Sequence, residues 1–237
     1  DFSADGRMKG APWLGMSVSE IAGLDRLLIV GSFFRKDHPL VAQRVRQAVK
    51  KGLKVSAINP AFDDWQFALQ NQLCVSPSEM SAALAKVLKA LVEQGSAALS
   101  PEFQALVDSV QVDEQALAIA RSLGSGRRVA VWMGNYAVQH QDGVALHALA
   151  SEIARLSGGR FGVLGEAANS VGGYLAGAVP FGAVSGKNAS EMLSTPLKAY
   201  VLLGIEPEFD LRDAVAAREA FGAAEMVVML SAFKFEE

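Results

Sequence analysis

One cysteine in 237 residues, with three histidines, three tyrosines and three tryptophans, leaves little reactive side-chain chemistry to build with. The lone Cys74 excludes an intramolecular disulfide, and any iron–sulfur or zinc site made from several thiolates, within these residues. Between Leu73 and Val75 it reads as a small buried hydrophobe in a short strand, and a reducing compartment is expected. Charge of one sign is lacking too. The 22 Lys and Arg are interspersed with 25 Asp and Glu for a formal net charge of -3, so the basic footprint of a nucleic-acid binder is absent. No apolar run is long enough to cross a bilayer, because Gly, Pro or a charge interrupts each one. The opening Asp1-Phe2-Ser3-Ala4-Asp5-Gly6 has neither a methionine nor a signal-peptide pattern, and reads as a cut inside a longer chain.

What is present is apolar. Hydrophobic residues make up 51% of the chain, high for a soluble protein, which implies buried sheets or a surface that a partner covers. Three short runs carry the pattern: Leu27-Leu28-Ile29-Val30-Gly31, Val129-Ala130-Val131-Trp132-Met133-Gly134 and Tyr200-Val201-Leu202-Leu203-Gly204. A continuous apolar run of this length fits a strand buried on both faces of a parallel sheet, and a terminal glycine allows close backbone approach. Ligands of such sheets bind outside the strand ends. The expected architecture is α/β with mainly parallel sheets and a cleft lined by strand-end loops.

Between the runs lie helical patterns. Pro39 opens a helix whose Val41, Val45, Ala48 and Val49 share a face, Gly52 stops it, and Leu53–Ile58 reads as the next strand. Ser76-Pro77-Ser78-Glu79 is a capping-box start for a helix carrying Met80, Leu84, Val87, Leu88 and Leu91. Further helices are expected over 113–123, 143–157 and 211–221, and further strands over 161–164, 197–203 and 226–230. Residues 96–112 show no long period, so a boundary is set there, giving lobes 1–105 and 106–237. The small-sided stretch 165–180 is expected to lie in close contact with something.

No constellation spells out a catalyst. Gly182 to Asn188 has the glycine spacing of a phosphate loop one residue short, lacks its metal-binding hydroxyl and follows Pro180 rather than a strand, so a loop capped by Asn188 is the simpler reading. His140 and His147 lie two helical turns apart, about 10 Å, too far to share one metal on a continuous helix. Asp63-Asp64 beside Trp65 reads as the start of a short helix rather than an acid–base pair. Ser32, Asn59, Asn135 and Asn169 are expected to satisfy backbone groups at strand and helix ends.

Two long segments are specific when taken together. Leu28-Ile29-Val30-Gly31-Ser32-Phe33-Phe34-Arg35-Lys36-Asp37-His38-Pro39, followed by Lys54-Val55-Ser56-Ala57-Ile58-Asn59-Pro60, resembles one lobe of the molybdopterin oxidoreductase family. Trp132-Met133-Gly134-Asn135-Tyr136-Ala137-Val138-Gln139-His140, Asn169-Ser170-Val171-Gly172 and Tyr200-Val201-Leu202-Leu203-Gly204-Ile205-Glu206-Pro207 resemble its other lobe, in the same order. The resemblance implies two Rossmann-like lobes, of the kind found in formate dehydrogenase and DMSO reductase domains. In members that carry a cofactor, these loops surround a pterin dinucleotide bearing molybdenum or tungsten. Arg35-Lys36 before Pro39, Val163 through Gly172, and Leu230-Ser231-Ala232-Phe233 are most similar to the large iron–sulfur subunit of the bacterial NADH:quinone oxidoreductase, respiratory complex I.

That likeness implies a fold kept after its cofactor was lost, beside N-terminal modules, outside this sequence, that carry the iron–sulfur clusters. It implies no catalytic residue, no metal and no cofactor here, with Gly31, Ser32, Arg35, Asn59, Gly134, Asn135, His140, Asn169 and Gly204 lining a vestigial cleft. The implied partners are those modules and the other subunits of NADH:quinone oxidoreductase, at the cytoplasmic face of the bacterial inner membrane without insertion. Active relatives commonly have Gly-Thr-Asp at the position of Pro77-Ser78-Glu79 and a guanine-reading aspartate near Asn59, and this chain departs from both. Two other readings stay open: a fragment of an active molybdenum or tungsten enzyme such as a formate dehydrogenase, and a free-standing nucleotide-binding protein.

Overall fold

The computed structural model describes residues 11–95, 99–180 and 186–233, and the first part of the phosphate-loop-like stretch lies outside them. After a 3-10 turn at Val18–Gly23, β1 (Arg26–Val30) leads through α1 (Phe34–Asp37) into α2 (Pro39–Lys50), β2 (Lys54–Asn59) and β3 (Asn71–Cys74). Then come α3 (Met80–Gln94), α4 (Pro101–Asp108), α5 (Glu114–Gly124), β4 (Val129–Met133), α6 (Asn135–Gln139), α7 (Gly143–Leu156), β5 (Arg160–Val163) and α8 (Ser170–Leu175). The rest comprises α9 (Ala189–Ser194), β6 (Ala199–Leu203), α10 (Pro207–Asp210), α11 (Ala214–Gly222) and β7 (Met226–Leu230).

The first five strands form one parallel sheet in the order β3-β2-β1-β4-β5. The runs at β1 and β4 are buried throughout, as a central parallel strand requires. Because side chains alternate along a strand, Leu28, Val30, Val131 and Met133 pack with α3, α5 and α7, while Leu27, Ile29, Ala130 and Trp132 pack with α2. Each fully buried aliphatic side chain contributes about 1.5–3 kcal/mol. At β5 the outer edge is covered by the chain itself, since Val163 N donates to Trp13 O at 2.8 Å and Gly15, at φ +76°, lies where a Cβ would strike Phe161 O.

Local signals set the helix starts. Ser76 N and Oγ both donate to Glu79 Oε2, and Asp113 Oδ1 accepts from Ala116 N at 2.8 Å at the start of α5. Burial of the Asp113 carboxyl would raise its pKa, but the Ala116 amide and the Lys86 ammonium outweigh that and hold it below the ordinary value.

Several expectations meet a different structure. The limit set between 105 and 106 falls inside α4, whose short apolar stripe buries only Val107, and the sheet crosses it because β4 pairs with β1. The compact units are Asp1–Ala178 and Val179–Glu237. Asp63-Asp64 start no helix, since Gln66 sits at φ +54° with its N–H on Asp64 Oδ1, a turn that leaves helical geometry at once. Cys74 ends β3 half-buried.

The second unit is a parallel pair, β6-β7, with Tyr200, Leu202 and Ala220 at the centre of its small core. Its third apolar run departs from expectation: β6 alternates exposed and buried, and β7 is exposed along its whole length. Asn188 caps α9, with Oδ1 accepting from Glu191 N at 2.9 Å, as the bland reading of that loop has it.

Candidate functional site

In the order β3-β2-β1-β4-β5, the chain runs outward one way from β1 through β2 to β3 and, after crossing over, the other way from β4 to β5, so the switch point lies between the carboxyl ends of β1 and β4. Gly31-Ser32 and Gly134-Asn135 leave the sheet there. Gly31 adopts φ +58°, and a Cβ on it would stand 2.6 Å from Ala137 N and Cβ. A Cβ on Gly134 would lie 2.2 Å from Ser32 Cβ and 2.6 Å from Gly31 O. Both glycines serve close packing of protein on protein.

The polar groups at this point are engaged with one another. Gly31 N donates to Ile58 O and Gly134 N to Val30 O, both at 2.9 Å, and Ala137 N donates to Gly31 O at 3.2 Å. Asn59, 2% exposed at the end of β2, clasps Ser32 from both sides: its Oδ1 accepts from Ser32 N at 3.0 Å and its Nδ2 donates to Ser32 O at 2.7 Å. A guanine dinucleotide needs strand-end amides for its phosphates and a free acceptor for the base. The amides of Gly31, Ser32, Gly134 and Ala137 face protein acceptors, and the single acceptor atom of Asn59 is aimed at Ser32. These residues do not fit that group.

Two atoms at this point remain buried without a partner, Ser32 Oγ and Asn135 Oδ1, as do His38 Nδ1 and Asp63 Oδ2 in the loops that follow β1 and β2. Each such atom costs about 1–3 kcal/mol. His38 Nε2 lies 2.9 Å from Gly165 O, so Nε2 carries the proton and donates, tying the start of α2 to the end of β5.

The other expected residues are engaged locally or lie in the second unit. Arg35 turns away, its Nε donating to Asp64 O at 3.0 Å with its guanidinium 3.9 Å from Asp64 Oδ2, an exposed pair worth little. The His140 side chain is buried, and its Nδ1 accepts from Asp142 N at 3.0 Å. Asp142 Oδ2 approaches the same nitrogen at 4.0 Å, beyond hydrogen-bond distance. Asn169 is exposed beside Gly172, and Gly204 belongs to the second unit. Among the described residues, no cluster of three or more His, Cys, Asp or Glu is placed to hold a metal, and no helix is long and apolar enough to cross a membrane.

Sequence reasoning missed Ala137, whose small side chain lets α6 sit on Gly31, and His38 as a tether, for which no local signal exists. It also missed two hollows at the opposite, amino-terminal edge of the sheet. One of about 490 Å³ is lined by Glu20, Arg127, Arg128 and Arg160, and one of about 350 Å³ by Asp25, Arg26, Lys51 and Arg127. Three of the basic residues there have partners of two kinds, for Arg128 pairs with Asp25 and Arg160 with Glu20, while Arg26 reaches the end of α5. Arg26 Nε, for example, donates to Ser122 O at 3.0 Å. Hydrogen bonds from the Arg128 and Arg127 amides and the Arg128 guanidinium hold the Asp25 carboxyl below its ordinary pKa.

A doubly wound parallel α/β domain with its crevice at the switch point defines a nucleotide-fold class whose members differ by what the strand-end loops hold. The chain matches the molybdopterin oxidoreductase family over residues 3–236 and belongs to that family. It is similar to the F420-dependent formate dehydrogenase 1 subunit alpha of Methanococcus maripaludis, 30% identical over 89 residues, which make up 38% of this chain and 13% of that protein. The aligned part is thus a small share of that relative. A solved formyltransferase/hydrolase complex from Methylorubrum extorquens, in complex with methylofuran, aligns with 97% of this chain and 69% of its own at 14% identity and a TM-score of 0.48, too loose a likeness to inform the site.

Proposed function

We propose that this chain is a scaffold domain of the large iron–sulfur subunit of a bacterial NADH:quinone oxidoreductase, a molybdopterin-oxidoreductase fold that holds no pterin and has no catalytic residue of its own. The complex passes electrons from NADH through FMN and iron–sulfur clusters to quinone with coupled ion translocation. The clusters belong to N-terminal modules of the parent chain, and this domain packs beside them on the cytoplasmic face of the inner membrane. The observation that supports the reading is the Asn59–Ser32 clasp, in which the side-chain amide at the end of β2 is taken up by backbone. The single cysteine supports placing the clusters elsewhere. The test is to purify the protein from its source by a tag on this chain. Co-purification of flavin-bearing and membrane subunits with NADH:quinone activity supports the proposal, and formate-dependent dye reduction without NADH activity overturns it.

A second reading is a domain of an active molybdenum or tungsten enzyme of the formate dehydrogenase kind. The buried partnerless Ser32 Oγ, His38 Nδ1, Asp63 Oδ2 and Asn135 Oδ1 favour it, as polar atoms that a ligand could satisfy. The relative in Methanococcus maripaludis points the same way over the aligned 89 residues.

A further inference from the structure

Residues 38–62 carry five cations, Arg44, Arg46, Lys50, Lys51 and Lys54, and no acid, in a chain whose formal net charge is -3. All five are exposed. Elsewhere the two signs meet: Lys86 pairs with Asp113, Arg128 with Asp25, Arg160 with Glu20, Lys198 with Glu225 and Arg218 with Glu208. Among the described residues, none of the five cations makes an ion pair or a side-chain hydrogen bond. The carbonyl end of α2 accounts for Lys50 and Lys51. It does not account for Arg44 and Arg46, further up the helix, or for Lys54, which begins β2. The basic face continues into the hollow of about 350 Å³ at the end of α2, whose walls include Lys51, Gly52, Leu53 and Arg127. The Arg127 guanidinium has no ion pair among the described residues. The one carboxylate on those walls, Asp25, is taken up by the amides of Arg127 and Arg128 and by the Arg128 guanidinium.

We propose that the exposed face of α2, with the hollow at its end, docks an acidic surface of another polypeptide, one carboxylate of which seats in the hollow that Lys51 and Arg127 line. Unpaired cations gathered in one region repel one another, and an anionic surface relieves that repulsion and is steered to it at encounter. A membrane is a poor occupant, because Ala42, Val45 and Ala48 of α2 are buried and Val41 and Val49 pack against the same core, which leaves only Leu40 on the helix to enter a bilayer. A single-stranded nucleic acid is a poor one too, since no aromatic ring lies between Pro39 and Ala61 to stack a base. A second copy meeting this face across a two-fold axis would set like charge on like, and a head-to-tail contact would run on into open filaments unless its rotation closed a ring. Charge complementarity therefore selects an acidic face of a different protein. The inference holds under either functional reading, for it uses none of the switch-point residues.

The test uses the full protein purified in its natural assembly by a tag on this chain and treated with a water-soluble carbodiimide, which joins a lysine amine directly to a carboxylate in contact with it. Peptide mapping is expected to show Lys50, Lys51 or Lys54 joined to an Asp or Glu of another polypeptide. From the double variant Arg46→Glu, Lys50→Glu, that polypeptide is expected to be recovered at least about tenfold less, at an unchanged urea midpoint. The milder pair Arg46→Gln, Lys50→Gln, expected to lower recovery about threefold, serves if the reversal prevents folding. Links confined to residues 1–237, links to a second copy or to another part of the same polypeptide, no link at all, or equal recovery from the variants overturns the inference. So does binding of the unsubstituted protein to duplex DNA or to phosphatidylserine–phosphatidylcholine vesicles that the variants lose.

Discussion

β1 in the first unit and β6 in the second are built from the same kind of segment, an apolar run closed by glycine, and the two runs close differently. Gly31 at φ +58° has Ala137 against it and strands on either side of β1, whereas Gly204 at φ +63° has nothing within 4 Å of where its Cβ would be. The backbone turn is therefore a property of the strand end itself. Whether that end is sealed depends on neighbours that the run does not encode. In the first unit the neighbours are Asn59, Ala137 and Ser32, and the switch point is filled by protein. In the second unit they are missing from the described residues.

Substitution at the two glycines breaks this comparison most sharply. Gly31→Val adds positive-φ strain to overpacking and is expected to cost about 3–6 kcal/mol in urea unfolding. Trp13, Trp65 and Trp132 all lie in the first unit, so tryptophan fluorescence reports it alone. Gly204→Val carries the strain without the clash, about 1–3 kcal/mol, read by circular dichroism. Equal losses at both would sink the idea that Gly31 is held by its surroundings. Leu28→Ala, in the sealed sheet, is expected to cost about 2–5 kcal/mol by the same fluorescence measurement. Asn59→Ala leaves both Ser32 N–H and C=O without their partner and is expected to cost about 2–4 kcal/mol, whereas a change under about 0.5 kcal/mol means the clasp is ornamental.

The smallest effect concerns the helix caps. Asp113→Ala and Asp213→Ala each remove a cap worth about 1 kcal/mol. Asp113 has its folded pKa lowered, so its contribution is complete above the unfolded value of about 3.9 and is lost as pH falls through the lower folded value. Acid unfolding curves are expected to show that loss in the unsubstituted protein and not in Asp113→Ala.

Much of the fold was legible because it is local. Pro39, the Ser76/Glu79 pair and the Asp113 cap act within one turn, and the apolar runs located six of the seven described strands outright, with β3 suggested only by the neighbours of Cys74. Short elements escaped, since α4 buries one residue and α6 has five residues following β4 directly. The lobe limit was misplaced because hydrogen bonds between β1 and β4 join segments about a hundred residues apart, which composition cannot register. At the site, the role of Asn59 in satisfying backbone was foreseen and its partner was not. Arg35 and His140 are held by near neighbours, Asp64 and Asp142, which residue types alone do not reveal.

The central claim is that the switch-point crevice is occupied by the protein's own groups. Elemental analysis of the purified full-length protein for molybdenum and tungsten, with guanine nucleotide assayed after acid release, tests it most directly. The account predicts neither metal nor guanine above trace. One metal and guanine dinucleotide per molecule, lost on Ser32→Val or Asn135→Leu, would contradict it.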